Sequence, residues 1–197
     1  MILSACAGYA IGSLPLGYLA GRRWGGVDLR AVGSRNVGAT NMYRVSGPRL
    51  GVAVMLIDMA KGALAVALTS AVVDGASPVA AGVAAVAGHV YPVWLRGHGG
   101  KGVATACGAF ALLAPLATLI AALAFALTVG LTRVVSAGSL IASLALPAAA
   151  ALGGAEAAIV QGSALAGLLI VWRHRGNLGR LRRGTEHRLA RKGIPHA

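Results

Sequence analysis

Acidic residues are almost missing. The 197-residue chain carries five Asp and Glu against 18 Lys and Arg, a formal net charge of +13, and charged residues make up only 12% of it. An ordinary globular domain is about 25% charged, so there is too little polar surface to coat a soluble sphere. A soluble enzyme and a disordered tail are excluded. A nucleic-acid binder is excluded as well, because it would spread its bases along a polar chain, whereas here they sit in short segments between long apolar runs. Cysteine is scarce too. Cys6 and Cys107 lie in apolar runs, make no disulfide scaffold, and read as small buried hydrophobes. A basic leader is lacking over residues 1–20, and Arg22 and Arg23 follow the apolar stretch instead. That order is expected of an uncleaved first span with its N-terminus outside.

Several chemistries have no candidates. The fifth residue after a histidine is never Asp, and neither G-x-S-x-G nor H-E-x-x-H occurs, which removes the common His-Asp acyltransferase dyad, the nucleophile elbow and the zincin site. Asp58 and Glu186 are no spaced carboxylate pair for hydrolysis. Acid and Cys ligands for a metal are wanting, so neither a metal nor a cofactor is expected.

What is abundant is apolar and small. Hydrophobic residues make up 57%, mean hydropathy is +0.74, and there are 42 Ala and 29 Gly. Small residues let helices approach closely in a bilayer. The fold class expected is all-α, a polytopic membrane bundle forming one integral membrane domain over residues 1–197. The apolar segments are 1–20, 51–73, 79–95, 103–114, 116–131, 138–152 and 157–172, punctuated by polar residues, Gly or Pro. They are continuous rather than alternating, which argues against strands.

Seven spans with the N-terminus outside place 21–50, 96–102, 132–137 and the basic tail 173–197 inside. These hold 17 of the 18 bases; the other, Lys61, lies within a span, and the outside connections contain Asp74 and Glu156 but no base. This is a strong positive-inside pattern. Segment 103–114 is short for a crossing, which needs about 20 residues. One alternative makes 103–131 a single helix kinked at Pro115; another has five crossings with two re-entrant segments.

Three inside segments concentrate polar chemistry. Residues 33–41 (GSRNVGATN) crowd Ser34, Asn36, Thr40 and Asn41 beside glycines, with Arg44 following. A Gly-rich turn with a helix cap is the plain reading; an anion or polyol site is the functional one. Residues 96–103 (RGHGGKGV) formally match G-x-G-x-x-G, but no strand precedes them and no Walker A spacing exists. Their glycines, Gly99, Gly100 and Gly102 among them, would let backbone N–H groups form an anion nest. Lys101 would add charge at a helix start, unless it merely snorkels toward lipid phosphate. In residues 172–186 (WRHRGNLGRLRRGTE), His174 and Asn177 share a helical face at i, i+3. Arg180, Arg182, Arg183, Arg188 and Arg191 are read as holding the tail on anionic lipid. Asp58 and Lys61, also i, i+3, should pair inside a span. Ser136 is placed as a helix cap, with Ser139 pointing inward.

Such a site is rich in cations and neutral donors and poor in bases. It would bind anions and suit an already activated substrate. A transporter for organic anions is the rival reading, since broken helices and midplane charges would suit one. However, no inverted repeat is visible and the polar clusters lie on one side. A structural adaptor would leave the concentration of Ser, Asn, His and Lys unexplained.

These segments, in this order, resemble the three motifs of the bacterial acyl-phosphate-dependent glycerol-3-phosphate acyltransferases. The first is GSRNVGATN followed by Arg44, the second spans 88–105 with its GGKG core, and the third spans 174–186 ending in GTE. GSLPLGY at 12–18 and DMAKG at 58–62 also match, and the one departure is Arg35 where the family pattern expects Gly. The resemblance implies a seven-helix enzyme of the bacterial inner membrane whose site and C-terminus face the cytoplasm. It implies transfer of a fatty acyl group from acyl phosphate to the 1-hydroxyl of glycerol 3-phosphate, giving lysophosphatidic acid and phosphate, early in phospholipid synthesis. Lys101, His174 and Ser34 are then the expected catalytic residues. Arg44, Ser139, Asn177, Asn36, Thr40, Asn41, Gly99, Gly100 and Gly102 are the expected substrate contacts. Membrane lipid and the acyl-phosphate-forming enzyme are the expected partners. His174 is the one protein base available for the hydroxyl proton; a substrate phosphate is the alternative acceptor.

Overall fold

The computed structural model describes residues 1–73, 75 and 77–189. Asp74, Arg191 and the last residues of the basic tail lie outside them. The described residues are all helical in their regular structure: α1 Ile2–Ser13, α2 Leu16–Gly25, α3 Ala39–Ser46, α4 Pro48–Val72, α5 Pro78–Val90, a 3₁₀ turn Val93–Leu95, α6 Val103–Leu113, α7 Pro115–Thr132, α8 Val135–Leu152, α9 Ala157–Arg173 and α10 Arg175–Arg182. Proline sets several starts. Pro48, Pro78 and Pro115 each occupy the first helical position, where the absent N–H costs nothing and φ is already helical. Pro15 divides the first apolar run into α1 and α2.

The seven apolar segments of the sequence recur as helices, but not all are full spans. Five stretches are long and apolar enough to cross a bilayer: Ile2–Gly25, Pro48–Val72, Pro78–Leu95, Pro115–Thr132 and Val135–Leu152. Ala157–Arg173 joined to Arg175–Arg182, bent by 60°, makes a sixth. The helix α6 has 11 residues, about 16 Å at 1.5 Å per residue, roughly half the hydrocarbon thickness. The single kinked helix over 103–131 does not occur. At Ala114 φ is −150° and ψ 72°, which ends α6; α6 then packs mainly on α4, whereas α7 packs mainly on α8.

Close contacts give the relative directions. A Cβ on Gly8 would strike the Ala81 carbonyl and one on Gly12 the Ala85 carbonyl, so α1 and α5 run parallel. Gly82 meets Leu113 and Ala109 while Gly102 meets Val86 and Val90, so α6 runs against α5. Gly138 lies on Phe125 and Val129, Gly167 on Ser143, and Gly162 on Val79 and Val83. The helices α7, α8 and α9 therefore alternate, with α9 parallel to α5. Residues 26–47, 91–102, 133–134 and 174–189 consequently gather at one end of the bundle, and residues 153–156 at the other. The core between the ends is built from Val66, Val86, Phe110, Leu146 and Ile170 with small alanines. Leu116, Leu119, Leu123, Leu127 and Leu131 of α7 stay exposed on one stripe, the arrangement of a helix whose outer face meets lipid rather than water.

Candidate active site

At the polar end, α2 leads into the loop 26–38. The loop is tied down by a buried amide. Asn41, 1% exposed, accepts a hydrogen bond from the Ser34 backbone N–H at 2.8 Å through Oδ1. Its Nδ2 donates to the carbonyls of Leu29 and Val32 at 3.2 and 3.1 Å. Every polar atom of that side chain serves the loop, so Asn41 shapes it. Asn36 similarly accepts from the Gly38 N–H at 3.0 Å. Ser34 is exposed, and Thr40 is half-buried at the start of α3. Arg35 has φ 58°, a left-handed conformation that costs an L-residue roughly 1–2 kcal/mol and costs glycine nothing. That is a physical reason for the glycine that the resemblance leads one to expect at this position.

The loop 96–102 differs from the expected nest. The amides of residues 97–100 are used internally: Gly97 and His98 donate to Pro92 and Leu95, Gly99 to the Val90 carbonyl at 3.2 Å, and Gly100 to the His89 carbonyl at 3.1 Å. Glycine is required there for close approach, because a Cβ on Gly99 would strike the His89 carbonyl and one on Gly100 the His89 ring. The donors left to meet an anion are the Lys101 ammonium, the backbone N–H groups of Lys101 and Gly102, which donate to no backbone carbonyl among the described residues, and the first N–H groups of α6, which have no intrahelical acceptors. Gly102 caps that helix at φ 86°, so helix dipole and ammonium act at one place.

Lys101 is not a snorkelling residue. Its Nζ donates to Asn177 Oδ1 at 2.7 Å, Asn177 Nδ2 donates to Glu186 Oε1 at 2.9 Å, and Arg180 Nε donates to Glu186 Oε2 at 2.9 Å. The carboxylate thus fixes which way the Asn177 amide faces. Asn177 and Glu186 are 7% and 9% exposed. Burial pulls the Lys101 ammonium down to about 8; Glu186 opposes this, while Arg180, Arg44 and Arg173 add to it. That mutual influence also puts Arg44, exposed on α3, within reach of the cluster.

His174 lies in the break between α9 and α10 and is 1% exposed. Its Nδ1 is 2.8 Å from the Ile170 carbonyl. A carbonyl only accepts, so Nδ1 bears the hydrogen and Nε2 is left as the acceptor. Burial first, and the Lys101 charge second, hold this imidazole down at about 4, so it is neutral near pH 7. Ser139 is buried on α8 and donates to the Val135 carbonyl of its own helix at 3.0 Å. Ser136 does not cap α8: the cap is Val134, and the Ser136 hydroxyl is buried with no partner among the described residues.

Two arginines read as lipid-facing or left without a role turn inward. Arg180 pairs with Glu186, and Arg173 donates to the carbonyls of Gly99 and Gly100 at 3.2 and 3.4 Å. Glu186 was the acid most worth attention, being the one carboxylate in an eight-base segment. The expected Asp58–Lys61 pair is present, with Nζ to Oδ1 at 3.2 Å and both residues 3% exposed. Together the site offers cations, neutral donors and a neutral imidazole. It can bind phosphate and stabilise an oxyanion, but it holds no side chain activated as a nucleophile.

Comparison with known proteins agrees with this chemistry. Residues 2–184 match the family model described as glycerol-3-phosphate acyltransferase. A glycerol-3-phosphate acyltransferase from Myxococcus xanthus (strain DK1622) is 48% identical over 92% of this chain and 95% of its own. One from Synechococcus sp. (strain CC9902) is 44% identical over 98% and 96%. Among solved structures, PlsY (YgiH), an integral membrane glycerol 3-phosphate acyltransferase, superimposes in its glycerol 3-phosphate form with TM-score 0.88 at 34% identity, covering 96% of this chain and 95% of that one. Its lysophosphatidic acid form gives 0.87 at 33% identity, with the same coverage. With its helical fold and nearly its whole length matched, this chain belongs to the glycerol-3-phosphate acyltransferase family and is a multi-pass integral membrane protein.

Proposed function

We propose that the chain transfers a fatty acyl group from acyl phosphate to the 1-hydroxyl of glycerol 3-phosphate, releasing lysophosphatidic acid and inorganic phosphate. The hydroxyl oxygen attacks the acyl carbonyl carbon, the carbon–oxygen bond to phosphate breaks, and phosphate leaves with the electron pair. One observation carries the reading: the ammonium of Lys101, the residue before the α6 cap Gly102, is held by Asn177, itself oriented by Glu186, with no activated nucleophile among the described residues. A thioester donor would gain from a protein nucleophile or a strong base; a mixed anhydride has a good leaving group and needs chiefly positioning and charge stabilisation.

Lys101 and the first turn of α6 neutralise the leaving phosphate or the tetrahedral oxyanion. Arg44 binds the phosphate of glycerol 3-phosphate through its guanidinium fork. Ser34, Thr40, Ser139 and Asn177 orient hydroxyls, and Asn36 and Asn41 hold the first loop in shape. His174 accepts a hydrogen bond at Nε2 and positions the attacking hydroxyl. An imidazole near 4 is a weak base, so a phosphate oxygen of the substrates takes the proton. The positive-inside pattern puts this end in the cytoplasm of a bacterial inner membrane and the N-terminus outside. The acyl chain then stays among the helices. Acyl phosphate is reactive in water, so the acyl-phosphate-forming enzyme is the fitting partner.

The test is acyl transfer to labelled glycerol 3-phosphate by purified protein, with acyl phosphate, acyl-coenzyme A and acyl carrier protein offered separately. Equimolar lysophosphatidic acid and inorganic phosphate from acyl phosphate alone is expected. Turnover with a thioester but not with acyl phosphate would refute the donor assignment.

A further inference from the structure

We propose that His89, set beside the buried Asp58–Lys61 ion pair, is a positioning residue whose ring supports the Lys101 loop; this rests on the reading of Lys101 given above. His89 belongs to α5 and does not reach the Lys101–Asn177–Glu186 cluster itself. It is 7% exposed; its Nδ1 lies 3.4 Å from Asp58 Oδ1, beside the carboxylate but with no hydrogen-bond partner among the described residues. Asp58 is held in turn by Lys61, whose Nζ also donates to the Leu14 carbonyl at 3.1 Å. That carbonyl sits at the break before Pro15. The group therefore links α1, α4 and α5 and sets the Asp58 carboxylate beside the His89 ring.

What the ring does next is specific. The three atoms nearest to an imagined Cβ on Gly100 all belong to it: Nε2, Cε1 and Cδ2. The imidazole occupies the place a side chain at residue 100 would take, one residue before Lys101. The backbone of the same residue accepts the second grip, since the His89 carbonyl receives the Gly100 N–H at 3.1 Å. Arg173 in turn holds the carbonyls of Gly99 and Gly100. The loop carrying Lys101 thus meets the His89 ring at Gly100 and the Arg173 guanidinium at the carbonyls of Gly99 and Gly100.

Buried charges inside a membrane bundle are costly and persist where they have a use. An ion pair that served packing alone would be replaced by apolar residues with little loss. Here its use is to hold a ring that sets the height of Gly100, and with it the reach of Lys101 toward Asn177. A misplacement of about 1 Å at a catalytic group is enough to cost on the order of 10²-fold in rate. The loss falls on kcat more than on KM if Lys101 acts on charge that develops during transfer.

The experiment is a double-mutant cycle on the full chain in detergent, with kcat, KM and thermal midpoint measured for wild type, His89→Ala, Gly100→Ala and the double variant. His89→Ala leaves Lys61 to neutralise Asp58, so no bare charge is created. About a tenfold fall in kcat with KM for glycerol 3-phosphate changed less than threefold is expected from it. Gly100→Ala should lose at least 100-fold, because its methyl meets the ring. The double variant should recover at least tenfold in kcat over Gly100→Ala, since removing the ring makes room for the methyl. If Gly100→Ala does not fold, recovery of a cooperative thermal transition in the double variant supports the same contact. Multiplicative losses in the double variant, or wild-type kcat in His89→Ala, would overturn the proposal. An inactive wild type would instead overturn the acyl-phosphate reading, and the thermal midpoints of the cycle would still report whether ring and residue 100 are coupled.

Discussion

At the scale of single residues, the site works by adjusting how two cationic or basic groups hold protons. Lys101 is brought down to about 8 by burial, so it is charged near neutrality and loses its proton as the pH rises through that value. The rate should fall along that limb. The stability effect of this group runs the other way. Between about pH 8 and the ordinary lysine value near 10.4, the unfolded chain holds more protons than the native one, so stability gains with pH there. His174, held at about 4, should give no limb between about pH 5.5 and 7.5. A limb near an ordinary imidazole value that vanishes in His174→Gln would restore it as the base. Arg35 offers a separate test. Its φ of 58° makes Arg35→Gly a relief of strain, partly offset by the entropy glycine adds to the unfolded chain, for a net gain of about 0.5–1 kcal/mol. A lower thermal midpoint for that variant would contradict the left-handed backbone.

At the scale of helices, close approach at glycine decides the packing. A Cβ on Gly62 would meet the Thr105 carbonyl, whereas one on Gly130 of α7 has nothing within 4 Å. Gly62→Ala should cost about 1–3 kcal/mol by forcing α4 from α6. Gly130→Ala should be neutral or stabilising by up to about 1 kcal/mol. Thermal unfolding in detergent reads both, and equal effects would argue against the α4–α6 contact. The elements themselves were legible in the sequence, because uninterrupted Ala- and Leu-rich runs and first-position prolines specify helices locally. The use of the glycines in 96–102 was not legible. A Gly-rich segment before a helix reads as a nest, but the amides of residues 97–100 turn back to carbonyls at 89–95, a long-range choice that local composition does not encode. The inward turn of Arg180 was hidden for a similar reason. Among neighbouring bases, only the fold shows which one meets Glu186.

At the scale of the molecule, alternation of the seven apolar segments brings three sequence-distant polar segments to one end, as the charge pattern implied. The short α6 and the bent α9–α10 pair show why counting spans by length was harder than placing their ends. Single cysteines at 75 and 155 should label from the periplasmic side, and at 98 and 187 from the cytoplasmic side; labelling of 187 and 75 from the same side would contradict the orientation. The central claim is that catalysis depends on a charge held at this end rather than on a nucleophile. The most direct measurement of it is the kcat of purified Lys101→Ala with acyl phosphate and glycerol 3-phosphate, with its thermal midpoint recorded alongside. A loss of about 10²–10³-fold with the midpoint within a few degrees of wild type is predicted, and turnover within a few-fold of wild type would contradict the account.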